Sequence, residues 1–135
     1  MLHLSLEQLE RDVWPAPGFR SYLVTRCHAL RRVPIGQLSV EDLRMLISQG
    51  IGLKYLLPLA IETLEDDPLA EGDFFPGDLL SAVLKRDRAD LAKDTVLLDR
   101  LGKICRRVLE DEREGRLPEV YGLVSKLREL LARYA

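Results

Sequence analysis

The sequence predicts an all-α protein, a compact single-domain bundle of about six or seven helices. Three observations carry this expectation. Apolar residues recur at three- and four-residue spacing in almost every segment, and no convincing alternating strand appears. Helix-starting serines and helix-stopping glycines and prolines separate those segments. At 135 residues and 47% apolar, the chain has the length of one domain and enough material to bury a core.

The elements follow in order. Ser5-Leu6-Glu7-Gln8 is a capping box, in which the Ser5 hydroxyl accepts from the Gln8 backbone and the Gln8 side chain reaches back. It predicts a short helix to about Val13, stopped by Trp14-Pro15-Ala16-Pro17-Gly18. A second helix is expected from Phe19 to Arg32, with Phe19, Tyr22, Leu23, Cys27 and Leu30 on one inward face and Arg20, Arg26 and Arg31 off it. Val33-Pro34-Ile35-Gly36 breaks the chain. Ser39 caps a third helix, Glu41 and Asp42 favour its positive end, and Leu43, Leu46 and Ile47 line its inner face up to Gln49-Gly50.

Gly52 to about Leu64 is apolar nearly all round at its start and marks the central helix of the core. Pro58 either kinks it in an early turn or begins the helix proper. A fifth helix is expected from about Pro76 to Lys85, then a charged connection over Asp87–Asp94 with room for one helical turn. A long helix from about Asp94 to Gly115 carries the stripe Leu97, Leu101, Ile104, Cys105 and Val108, and its charged end is expected to be solvated. Leu117-Pro118 opens a last helix with Val120, Tyr121, Val124, Leu127, Leu131 and Tyr134 inward.

Charge is distributed unevenly. Tyr55 to Leu84 holds seven acids and no base, whereas the preceding chain sums to +2 and the following chain to +3, for a net charge of −2. Within this stretch, Glu65 to Asp78 mixes acids with Pro, Gly and the pair Phe74-Phe75. A negative patch bearing aromatics suits a basic protein partner and repels nucleic acid. The balance disfavours a general nucleic-acid binder. Basic residues at Arg20, Arg26, Arg31 and Arg32, and at Arg100, Lys103, Arg106 and Arg107, keep a small helical DNA-binding or regulatory protein as the alternative.

Catalytic constellations are poor. Cys27 and His28 are adjacent on a helix and so point in different directions, whereas a nucleophile pair needs hydrogen-bond reach and an orienting third group. The two cysteines, Cys27 and Cys105, read as buried reduced thiols. The acidic stretch breaks the ligand register of a calcium loop at Pro68-Leu69-Ala70, and a small bundle offers no deep cleft for paired-carboxylate glycosidase chemistry. P-loop and dinucleotide fingerprints are absent. The expectation is therefore no enzyme, no metal, no cofactor, no small-molecule substrate and no membrane partner. The N-terminus does not read as a signal peptide, which points to the cytoplasm.

Several ordered pieces carry a resemblance. Leu6–Trp14 (LEQLERDVW) leads to Cys27-His28-Ala29-Leu30-Arg31-Arg32, Val40-Glu41-Asp42-Leu43-Arg44 and Ile51-Gly52-Leu53. Asp67-Pro68-Leu69-Ala70-Glu71-Gly72-Asp73 and Phe75-Pro76-Gly77-Asp78-Leu79-Leu80 complete the set. Over about Leu6 to Leu84 the chain resembles the small immunity proteins of bacterial contact-dependent growth inhibition systems. Lys54 departs from the pattern, standing where such sequences carry proline. The resemblance implies a protein that binds a toxin domain delivered by a neighbouring cell, blocks it in the cytoplasm and performs no reaction. Many such toxins are nucleases, whose phosphate-gripping surfaces are basic. On this reading Glu65, Asp66, Asp67, Glu71 and Asp73 steer the toxin, and Phe74 or Phe75 anchors it. A rival within the class puts the interface on the C-terminal half, at residues such as Arg107 and Arg128.

Overall fold

The computed structural model describes residues 1–18, 21–117 and 129–132. It is all-α. The helices are α1 (Leu6–Glu10), α2 (Tyr22–Leu30), α3 (Val40–Ser48), α4 (Leu53–Asp66), α5 (Asp78–Leu84), α6 (Arg88–Ala92) and α7 (Thr95–Arg113), with a 3-10 turn at Ile35–Gln37. The last predicted helix falls mostly outside the described residues, as do Phe19 and Arg20. Leu131 is described and is fully buried, as predicted.

Local signals placed most helix starts correctly. Both halves of the Ser5–Gln8 capping box form, and Ser39 forms a second box with Asp42. The Asp94 carboxylate caps α7 by accepting from Val96 and Leu97. α2 starts later than expected, at Tyr22, because Ser21 caps it by accepting from the Val24 amide at 3.1 Å. α4 starts at Leu53 and runs through Pro58 to Asp66, so the proline lies inside the helix and not at its beginning. One short helix, α6, occupies the charged connection.

The core joins α3, α4, α5 and α7. Leu46 and Ile47 of α3, Leu56, Ile61 and Leu64 of α4, Leu79, Leu80 and Val83 of α5, and Leu101, Ile104 and Cys105 of α7 are all buried. Each buried aliphatic side chain contributes about 1.5–3 kcal/mol relative to exposure. Cys27 and Cys105 are both buried free thiols, and burial pushes the Cys105 thiol up to about 12.

The N-terminal segment closes on this core through backbone pairing. Ile35 and Gly36 donate to the carbonyls of Leu4 and Leu2, each at 2.9 Å, and Glu7 donates to Arg31 at 2.9 Å. Gly52 is needed here twice over: it has φ +65°, and a Cβ would sit 2.7 Å from both Leu6 methyls.

Two expectations for α2 are corrected. Tyr22 is 75% exposed and Leu23 also faces outward, so among the described residues of that face only Cys27 and Leu30 occupy the core. Arg31, expected on the solvent side, is 1% exposed. Its guanidinium lies 4.1 Å from the Trp14 ring centroid, pairs with Glu10 at 3.1 Å and donates to the Asp12 carbonyl at 2.7 Å. Trp14 also meets the His28 ring edge-on at 5.1 Å.

Candidate partner-binding surface

The acidic loop is built from its two ends. At the first, Asp67 leaves α4 in extended conformation. Its carboxylate accepts from the Leu69 amide at 3.1 Å, and its carbonyl from the Ala70 amide at 3.0 Å. Pro68 and Ala70 tuck under this turn. At the second end Gly77, in left-handed conformation at φ 87°, leads into α5 and donates to the Leu69 carbonyl at 3.1 Å, which closes the loop.

Asp78, the first residue of α5, holds the interior. It is 3% exposed and accepts from the amides of Gly72 at 2.7 Å, Phe74 at 3.1 Å and Phe75 at 3.4 Å. The neighbouring amide, Asp73, donates to Glu41 of α3 at 3.0 Å. Two carboxylates from two helices thus satisfy four consecutive backbone donors, which a loop cannot leave buried and unpaired. Glu41 also takes a bidentate fork from Arg44, with both contacts at 2.6 Å. The Arg44 hydrogen bonds hold the Glu41 carboxyl below the usual carboxylate range, the Asp73 amide adding to them against partial burial. Gly72 must be glycine for steric reasons, since a Cβ would stand 2.5 Å from Glu41 Oε1.

This frame sorts the sequence-predicted site residues. Asp66 and Glu71 are exposed and make no ion pair among the described residues; Asp73 is exposed and its charge acts on Arg44. Asp67 is partly occupied by its own turn. Glu65 faces the other way, toward α7: Arg100 grips its carboxylate at 2.5 and 3.0 Å, and Arg107 donates to its carbonyl at 3.1 Å. Phe74 and Phe75 are both exposed, Phe74 by 67%. Neither ring is buried in the core, and the Asp78 carboxylate is what ties the loop down. Phe74 lies over Arg44, 4.5 Å from the ring centroid to the guanidinium carbon, so its ring is held in place while staying exposed.

Sequence reasoning missed Glu41, Arg44 and the burial of Asp78. An acid at the second position of a helix with Arg three residues later was the available signal, and the helix dipole explained it too readily.

Several of the basic residues that could have formed a nucleic-acid surface are paired. Arg26 meets Asp42 at 3.3 Å, Arg32 meets Glu7 at 3.6 Å, and Lys103 meets Asp99 at 3.2 Å, alongside the Arg100–Glu65 fork. Among the described residues no cluster of His, Cys, Asp and Glu could hold a metal ion, and no helix is long and apolar enough to cross a membrane.

No curated protein matches the chain. A family model of CDI immunity proteins matches residues 8–101, which run from the middle of α1 through α6 into the first turns of α7 and include the whole Asp78–Glu41 frame. The chain belongs to the immunity proteins of contact-dependent growth inhibition systems.

Proposed function

We propose that this protein neutralises one toxin domain in the cytoplasm by binding it, without reaction, through the outward face of the acidic loop, and that the toxin is a nuclease. One observation carries this reading. Asp66, Glu71 and Asp73 project from a loop whose backbone is braced from inside by Asp78 and Glu41, with Phe74 displayed beside them. A braced surface lowers the ordering cost of binding, and its charge suits a partner shaped to hold phosphate. Asp67 and Phe75 belong to the rim of the same surface, and Glu65 links it to α7.

Co-purification tests the reading. The chain should capture the C-terminal domain of a very large secreted protein encoded immediately upstream. Reversal of Asp66 and Asp67 to Lys should slow association with that domain and flatten its dependence on salt. Unchanged association rates across a salt series would remove the loop from the interface. Arg107→Glu is the matching test of the rival surface, and it should leave binding intact. For the DNA-binding alternative, a gel shift at low salt should show no retardation.

A further inference from the structure

The acids described above leave the loop's other flank unused. A groove of about 370 Å³ runs between α3 and α5, with the Phe74-Phe75 pair at its edge. Unlike the loop surface, it is cationic: Arg44, Lys85 and Arg86 line it. The carboxylate in its wall, Asp78, is saturated by three backbone amides. Arg44 is turned to Glu41, while Arg86 donates to the Ile47 and Ser48 carbonyls and pairs with Asp90, so these two shape the wall. Lys85 is exposed and its ammonium makes no ion pair among the described residues. The groove also holds Ser81, 7% exposed, whose hydroxyl makes no hydrogen bond among the described residues. A hydroxyl opening on a groove from a largely buried residue, beside an ammonium without an ion pair among the described residues, is a donor set that suits an entering acceptor.

We propose that this groove receives an acidic side chain of the toxin, an Asp or Glu whose carboxylate meets Lys85 and Ser81 and whose apolar neighbour seats on Phe74 and Phe75. The inference rests on the immunity reading and adds the chemistry of the footprint. The toxin surface would be bipolar, with cations opposite Asp66 and Glu71 and one carboxylate placed a short step away. The argument is charge complementarity: with Arg44 held by Glu41 and Arg86 by Asp90, a cation in this groove would meet the Lys85 ammonium, which has no ion pair among the described residues, and like-charge contact is how such interfaces reject wrong partners. A toxin surface that is basic throughout fits the loop and is refused by the groove.

The test uses the toxin domain captured by co-purification and follows binding kinetics on a sensor surface. Lys85→Glu should weaken binding by about 100-fold or more, mainly through faster dissociation, whereas Asp66→Lys acts on association. Ser81→Ala, which suits the helix, should cost about 5-fold. Thermal melts of each variant separate lost binding from lost folding. Each Asp and Glu of the toxin is then changed in turn to Lys, and one of these should restore affinity for the Lys85→Glu chain. Capture of the toxin by the wild type, with a folded Lys85→Glu chain binding within 2-fold of it, overturns the groove and leaves the immunity reading standing. Absence of any restoring toxin variant also overturns the groove. Failure of the wild type to capture any toxin domain overturns both.

Discussion

Asp78 is 3% exposed and accepts from three backbone amides, whereas Asp66, in the same acidic stretch, stands in solvent at the end of α4 without an ion pair among the described residues. The two residues are chemically identical, and their neighbours decide their work. The Asp78 carboxylate is surrounded by amides that need an acceptor, so it acts as a structural tie. Asp66 has no donor to serve among the described residues, and its charge faces solvent. Acid content alone therefore overstates the binding surface, since an inner layer holds the loop and an outer layer faces the partner.

The sharpest way to break this division is to truncate one residue from each layer. Asp78→Ala leaves the amides of Gly72, Phe74 and Phe75 without their acceptor and should cost about 3 kcal/mol in urea unfolding. Asp66→Ala should change stability by less than about 0.5 kcal/mol and show its effect in toxin association. Equal stability losses for the two would dissolve the distinction between layers.

Gly72→Ala tests the inner layer by crowding instead of deletion. The new methyl carbon would sit 2.5 Å from Glu41 Oε1 and 3.1 Å from Asp78 Oδ2, so both carboxylates must shift. A loss of about 2 kcal/mol is expected, with toxin dissociation accelerated because Phe74 is no longer held in place. A fully stable Gly72→Ala protein would mean that the frame yields freely.

Arg44→Met adds a pH signature. The folded Glu41 carboxyl titrates below its ordinary value of 4.5, chiefly because of the Arg44 hydrogen bonds. Its contribution to stability is therefore fully present above pH 4.5 and lost as pH falls through the lower folded value. Arg44→Met should cost about 1–2 kcal/mol at neutral pH and flatten the fall in stability below pH 4.5. An unchanged acid limb would show that the Arg44–Glu41 pair does not set it.

How far the sequence revealed this arrangement depends on distance along the chain. The Ser5–Gln8 box and the Ser39 cap lie within four residues and were readable, as were the buried stripe of α7 and the all-α class. Arg31 was misread because its burial depends on Trp14 and Glu10, which a helical period cannot see. Tyr22 sits at a core-facing spacing, yet no element covers it among the described residues; periodicity gives a face and says nothing of its cover. The acidic loop was legible as a candidate surface, but its internal order was not. The hydrogen bond from the Asp73 amide to Glu41 spans 32 residues, and only folding brings α3 under the loop.

Glu65 separates the layers with the smallest effect. It is an exposed acid by composition, yet Arg100 holds its carboxylate and Arg107 its carbonyl. The contact draws its carboxyl below the usual range through the Arg100 hydrogen bonds, but side chains exposed by 33% and 41% leave it open to salt and water. Glu65→Gln should therefore lower stability by about 0.5 kcal/mol or less, and the difference should vanish in high salt. If Glu65 belongs to the structural side, toxin association should be nearly unchanged in Glu65→Gln while Glu71→Gln slows it. A slowing as large for Glu65→Gln as for Glu71→Gln would extend the binding surface across the end of α4 onto α7, and would bring the C-terminal helices into the interface.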